Sequence, residues 1–134
     1  MDNINNLQRF VVAQEGGCRW SDASYEDALS EVRNGSKVNH WIWYIFPQMK
    51  GLGYSDASKY YGIIDREEAK AYIEHPVLKE RLIAAAQVLL DNDKPLNSIF
   101  SNLGRVKLRS CMLLFASVSD EPIFKKVITK YGWK

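Results

Sequence analysis

The chain has 134 residues, a formal net charge of +2 and a hydrophobic fraction of 46%. That length predicts one domain over residues 1–134, which buries roughly two-thirds of its unfolded surface and needs neither metal nor disulfide to hold it. The charge is too small for the concentrated basic surface that binding nucleic acid or an anionic membrane by phosphate neutralisation requires, although Lys125, Lys126, Lys130 and Lys134 crowd the C-terminus.

The opening segment, MDNINNLQRF, has neither a basic nor an apolar signal-peptide region, and no apolar run reaches the roughly twenty residues of a spanning helix. Asn6 to Glu15 reads as a first helix with Leu7, Phe10, Val11 and Gln14 on one side, stopped by Gly16-Gly17. Cys18 to Ala23 reads as a loop. Cys18 and Cys111 are far apart with no CxxC pair, so reduced thiols and a cytoplasmic location are expected. Ser24 caps a second helix, Tyr25 to Arg33, with Asp27 at the capping-box position and Asn34-Gly35 closing it.

Seven apolar or aromatic residues then run unbroken from Trp41 to Pro47, and a buried central helix is expected over Val38 to Phe46, ended by Pro47. The loop Lys50-Gly51-Leu52-Gly53 follows, and Ser55 caps a short helix through Tyr60-Tyr61. Asp65 caps another, Arg66 to Glu74, with Glu67 and Glu68 against its positive end. Pro76 opens the next, Val77 to Leu90, whose stripe is Leu78, Leu82, Ala85, Ala86 and Leu89. A helical turn within Pro95 to Phe100 precedes a helix over Val106 to Ala116, with Leu108, Cys111, Met112 and Phe115 inward. Glu121 or Pro122 starts the last helix, with Phe124, Val127, Ile128 and Tyr131 along its stripe. No alternating run competes, so the expected fold is an all-α domain of seven or eight short helices around the central one.

On a wheel of about 3.6 residues per turn, Val38, Ile42, Ile45 and Met49 share one side of the central helix. Lys37, His40, Trp41, Tyr44 and Gln48 share another, and so many polar groups on one side of a buried helix point to a cleft. Indole and phenol would stack a planar ligand there, while Lys37 and Gln48 would hold an anionic or amide group. Lys107 lies beside a core stripe and is expected to join them, with Ser110 one turn on and Arg105 and Arg109 toward solvent. Glu68 and His75, seven apart on one helix face, are close enough to orient a ligand, although such a pair is more often a surface carboxylate and a cap. Two histidines and two distant cysteines make no zinc spacing, there is no GxSxG elbow, and Cys111 among Leu108, Met112 and Phe115 reads as an inert buried thiol.

The string HWIWYIFPQMKGLGYSDASKYYGI, residues 40–63, with EEAKAYIEHPVLKERL at 67–82 and KLRSCMLLF at 107–115, resembles the DUF 1810 family, a domain-of-unknown-function group sometimes labelled calpastatin. The resemblance covers most of the chain and implies a compact, mainly helical domain; it brings no reaction, cofactor or catalytic residue. The resembled family pattern has an acid shortly before the KL pair, where this chain reads Leu103-Gly104-Arg105-Val106, and commonly a threonine where it has Leu113. The functional expectation is a small anionic, planar, nucleotide-like ligand held by Lys37, His40, Trp41, Tyr44, Gln48 and Lys107. The residues assign neither a reaction nor a cofactor. The rival expectation is a protein-interaction or self-assembly module using the aromatic loop and the final helix, with Tyr131 and Trp133 as anchors.

Overall fold

A computed structural model describes residues 3–37, 39–51 and 55–133, with side chains from residue 7 onward. The expectations for Val38, for Leu52 and Gly53 in the loop, and for Lys134 lie outside the described residues. Eight α-helices follow in order: α1 Asn3–Gly16, α2 Tyr25–Arg33, α3 Ile42–Ile45, α4 Asp56–Tyr61, α5 Arg66–Glu74, α6 Pro76–Asp91, α7 Asn102–Val118 and α8 Pro122–Tyr131. A single 3₁₀ turn, Leu96–Ser98, lies between α6 and α7. The all-α expectation holds. Extended pairing among the described residues is limited to two isolated bridges, Cys18 with Ser21 and Met49 with Ile63.

The helix starts follow from short polar side chains that satisfy the first free amides. Ser24 and Asp27 form the reciprocal capping box on α2, and Gly35 after its end sits at φ +78°, the left-handed region where a side chain would be strained. Ser55 and Asp65 cap α4 and α5, and the His75 ring accepts from the Leu78 amide to cap α6. Helix α7 begins four residues before the expected Val106, because Ser101 Oγ accepts from the Gly104 amide at 3.1 Å. The apolar period shows only from Val106 onward, so the first turn, with its exposed Leu103, left no hydrophobic signal.

Helices α5, α6, α7 and α8 pack on one another, and α1 lies against α2, α3, α5 and α6. The predicted stripes of α6 and α7 are all buried, as are Leu7, Phe10, Val11 and Gln14 of α1. Of the C-terminal lysines, Lys130 does more than face solvent: its Nζ donates to the Leu90 carbonyl at 2.6 Å and to the Asn92 carbonyl, and Tyr131 Oη donates to the Leu89 carbonyl at 2.7 Å. Helix α8 thus closes the C-terminal end of α6, where carbonyls lack helical partners.

The central segment differs most from expectation. Helix α3 is a single turn, and the chain before it is held open by Glu31 of α2. One Glu31 oxygen accepts from the Asn39 amide at 3.1 Å and from Trp41 Nε1 at 2.8 Å, and the other from Asn39 Nδ2 at 2.6 Å. An Asn39 amide engaged by a side chain is not helical, so Lys37 and His40 lie ahead of the turn rather than on its face. After Pro47 the backbone runs alongside Ile63, with Ile63 N donating to Gln48 O at 2.9 Å and Lys50 N to Ile63 O at 2.8 Å. Met49, expected in the core, is consequently exposed.

Glu68 and His75 do not form a ligand-orienting pair: His75 caps α6, and Glu68 is buried in an ion pair with Arg9 of α1 at 3.1 Å. Arg9 also donates to the carbonyls of Tyr60 and Gly62, and Glu68 accepts from the Ile64 amide at 2.9 Å. This polar knot ties α1 to α4 and α5.

Burial raises the phenols of Tyr44, Tyr61 and Tyr72 above the ordinary value, Tyr44 to about 12. The fold therefore prefers them neutral, while the unfolded chain starts to release its phenolic protons near pH 10. Fewer protons on the unfolded state mean that stability falls as pH rises above 10. Urea midpoints measured from pH 8 to 12 should drop steeply past 10, and less steeply in Tyr44→Phe. A flat profile would mean that these rings are not interior.

Candidate functional site

The six predicted site residues separate into two groups. Trp41 and Tyr44 are fully buried, and Gln48 nearly so. The Trp41 ring meets Phe100 edge-on at 5.9 Å and Phe46 at 6.2 Å, while its nitrogen is bound by Glu31. Tyr44 Oη donates to the Ala23 carbonyl at 2.6 Å, and its ring lies 5.4 Å from Tyr61. Gln48 Nε2 donates to the Phe46 carbonyl at 2.9 Å. These three knit α3 to α2, α4 and the 3₁₀ region, and neither ring offers a face to solvent.

Lys37, His40 and Lys107 form the second group, His40 and Lys107 against Trp43 and Lys37 against the outer side of Trp41. Lys107 Nζ lies 5.2 Å from the Trp43 ring, and the His40 ring lies 6.2 Å from the same indole with 30° between planes. Lys37 Nζ lies 5.2 Å from the Trp41 ring, covering the buried indole from outside, and donates to the Asn39 carbonyl at 2.6 Å. Burial pushes both ammoniums below the usual lysine value; for Lys37, Glu31 opposes that fall and Lys107 adds to it. Among the described residues Lys107 has no carboxylate partner.

Trp43 is the residue that helical periodicity missed. It is half-buried, and its Nε1 is shielded from solvent without a hydrogen-bond partner among the described residues, as is Arg105 Nε. Arg105 is half-buried and donates to Asn102 at 3.1 Å; Arg109 is exposed. An unfilled indole donor beside two desolvated ammoniums makes a surface that favours negative charge. No group of three or more His, Cys, Asp or Glu gathers in metal-binding fashion among the described residues.

The architecture is that of a small helical domain with a basic cluster built on a tryptophan-bearing turn, and none of its described helices is long and apolar enough to cross a membrane. The chain belongs to the DUF1810 family, described as a protein of unknown function, which it matches over residues 4–133. It is similar to the conserved hypothetical protein Rv1873 from Mycobacterium tuberculosis, whose crystal structure at 1.38 Å gives a TM-score of 0.84. The two are 36% identical, over 95% of this chain and 88% of that one. No curated protein matches the chain.

Proposed function

We propose that the chain binds a small anionic ligand, of the nucleotide-like class expected from its residues, at Lys37, His40, Trp43 and Lys107. The observation that carries this reading is the Lys107 ammonium, partly desolvated over the Trp43 ring, beside a second lysine and without a carboxylate of its own. Such a pair of cations destabilises the folded chain until an anion offsets it. The Trp43 ring and the adjacent imidazole supply a flat surface for a planar group. Trp41, Tyr44 and Gln48 serve the reading indirectly, by fixing the turn that carries Trp43.

Thermal unfolding with adenosine monophosphate and with inorganic phosphate tests it. A ligand present at a hundred times its Kd stabilises by about 2.7 kcal/mol. Lys107→Ala should abolish the shift, and circular dichroism checks that the variant keeps the fold. An anion favours the charged lysines, so binding should weaken as pH rises through their lowered pKa values toward 10.5. An unchanged shift in Lys107→Ala, or no shift with either compound, would remove the proposal.

A further inference from the structure

A second concavity, sharing no residue with the lysine cluster, lies between α1, α4 and the turn after α1. Gly17, at φ +87°, turns the chain sharply out of α1, and a side chain there would meet the Ser21 carbonyl oxygen at 2.6 Å. Cys18 and Ser21 then exchange backbone hydrogen bonds of 2.6 and 3.2 Å, leaving Arg19 and Trp20 at the tip of a tight loop. The Trp20 ring packs 5.6 Å from Tyr60 and meets Tyr61 edge-on at 6.1 Å. Tyr60 is held from behind by Arg9, whose Nε binds its carbonyl at 2.8 Å.

The result is a cavity of about 550 Å³ lined by Arg9, Val12, Cys18, Arg19, Trp20 and Tyr60 among others. That size falls in the range of small-molecule sites, which run from roughly 300 to 1,000 Å³. Val12 and Tyr60 are more than half exposed there and give the cavity apolar surface that an occupant would cover. The lining contains two arginines and no carboxylate. Arg9 is committed to Glu68 and to two backbone carbonyls, so it contributes structure rather than a free charge. Arg19 is exposed, lies 5.2 Å from the Trp20 ring, and forms no ion pair among the described residues.

We propose that this groove is a binding site for a flat aromatic anion, its ring system between Val12 and Tyr60 and its acidic group at Arg19. Aromatic walls bind a planar apolar body, and a cation at the rim of an acid-free cavity selects a negative substituent. The site stands whether or not the lysine cluster binds an anion.

The probe is 1-anilinonaphthalene-8-sulfonate, titrated into the folded full-length chain and followed by its fluorescence, with uncharged N-phenyl-1-naphthylamine alongside. Saturable binding is expected, weakened about tenfold or more by Val12→Asp and by Arg19→Glu and unchanged in Lys126→Ala, an exposed lysine of α8 outside both sites. Saturation should also slow alkylation of Cys18 by iodoacetamide, because that thiol lines the same cavity. Both groove positions are exposed, and circular dichroism checks each fold; if Val12→Asp does not fold, Arg19→Glu decides. The proposal is overturned by non-saturable binding, by wild-type affinity in both groove variants, by loss in Lys107→Ala alone, or by an uncharged probe that binds as tightly as the sulfonate.

Discussion

Replacing Glu68 by alanine is expected to lower the unfolding free energy by about 3–5 kcal/mol, the cost of stranding one member of a buried ion pair. Glu68 is 1% and Arg9 10% exposed at the side chain, so water cannot take over either role. The loss goes beyond the pair. One Glu68 oxygen accepts from Arg9 and the other from the Ile64 amide, which would be left without an acceptor. Arg9 would keep the carbonyls of Tyr60 and Gly62 but lose the carboxylate that its guanidinium meets at 3.1 Å. Glu68→Gln retains an acceptor for Ile64 and removes only the charge, so it should fall between wild type and alanine. Urea denaturation followed by circular dichroism gives the order, and the slope should not change if all three chains unfold as one unit. A Glu68→Ala midpoint within about 1 kcal/mol of wild type would make this pair no better than a surface one.

The same residue shows how much of the structure was legible in the sequence. Asp65 and the acidic turn after it announced α5 correctly, because a cap and a helix dipole act within four residues. That Glu68 belongs to Arg9, fifty-nine positions earlier, leaves no local trace. The long amphipathic helices were readable for the same reason as the caps, since a buried face repeats along the chain. The central turn was not. A wheel through residues 37–48 assumes continuous helix, whereas the Glu31 carboxylate captures Asn39 and Trp41 from another element and opens the backbone ahead of α3. Aromatic spacing alone did not separate core from cleft either: Trp41 and Tyr44 are interior because Glu31 and the Ala23 carbonyl satisfy their polar atoms there. Lys107 was readable from its position beside the α7 stripe. Trp43 was not, and Trp20 and Tyr60, forty residues apart, meet only once the chain has folded.

Trp41→Ala is the other change expected to act strongly, at about 3–5 kcal/mol, because it empties the space of a fully buried indole and takes one donor from a Glu31 oxygen that keeps the Asn39 amide. Trp41→Phe should cost about 1–3 kcal/mol, keeping most of the ring volume while withdrawing the donor from that carboxylate. A double-mutant cycle of Trp41→Phe with Glu31→Ala isolates the bond, with a coupling of about 0.5–3 kcal/mol expected for groups in direct contact. Glu31→Ala alone also frees Asn39, so its own effect should exceed that coupling. The comparison with Lys107→Ala separates framework from ligand contact. Trp41 should matter for stability whether or not an anion is present, whereas Lys107 should matter for the anion and little for the fold. A folded Trp41→Ala chain that unfolds at the wild-type midpoint yet no longer responds to adenosine monophosphate would return the indole to the binding surface and remove it from the core.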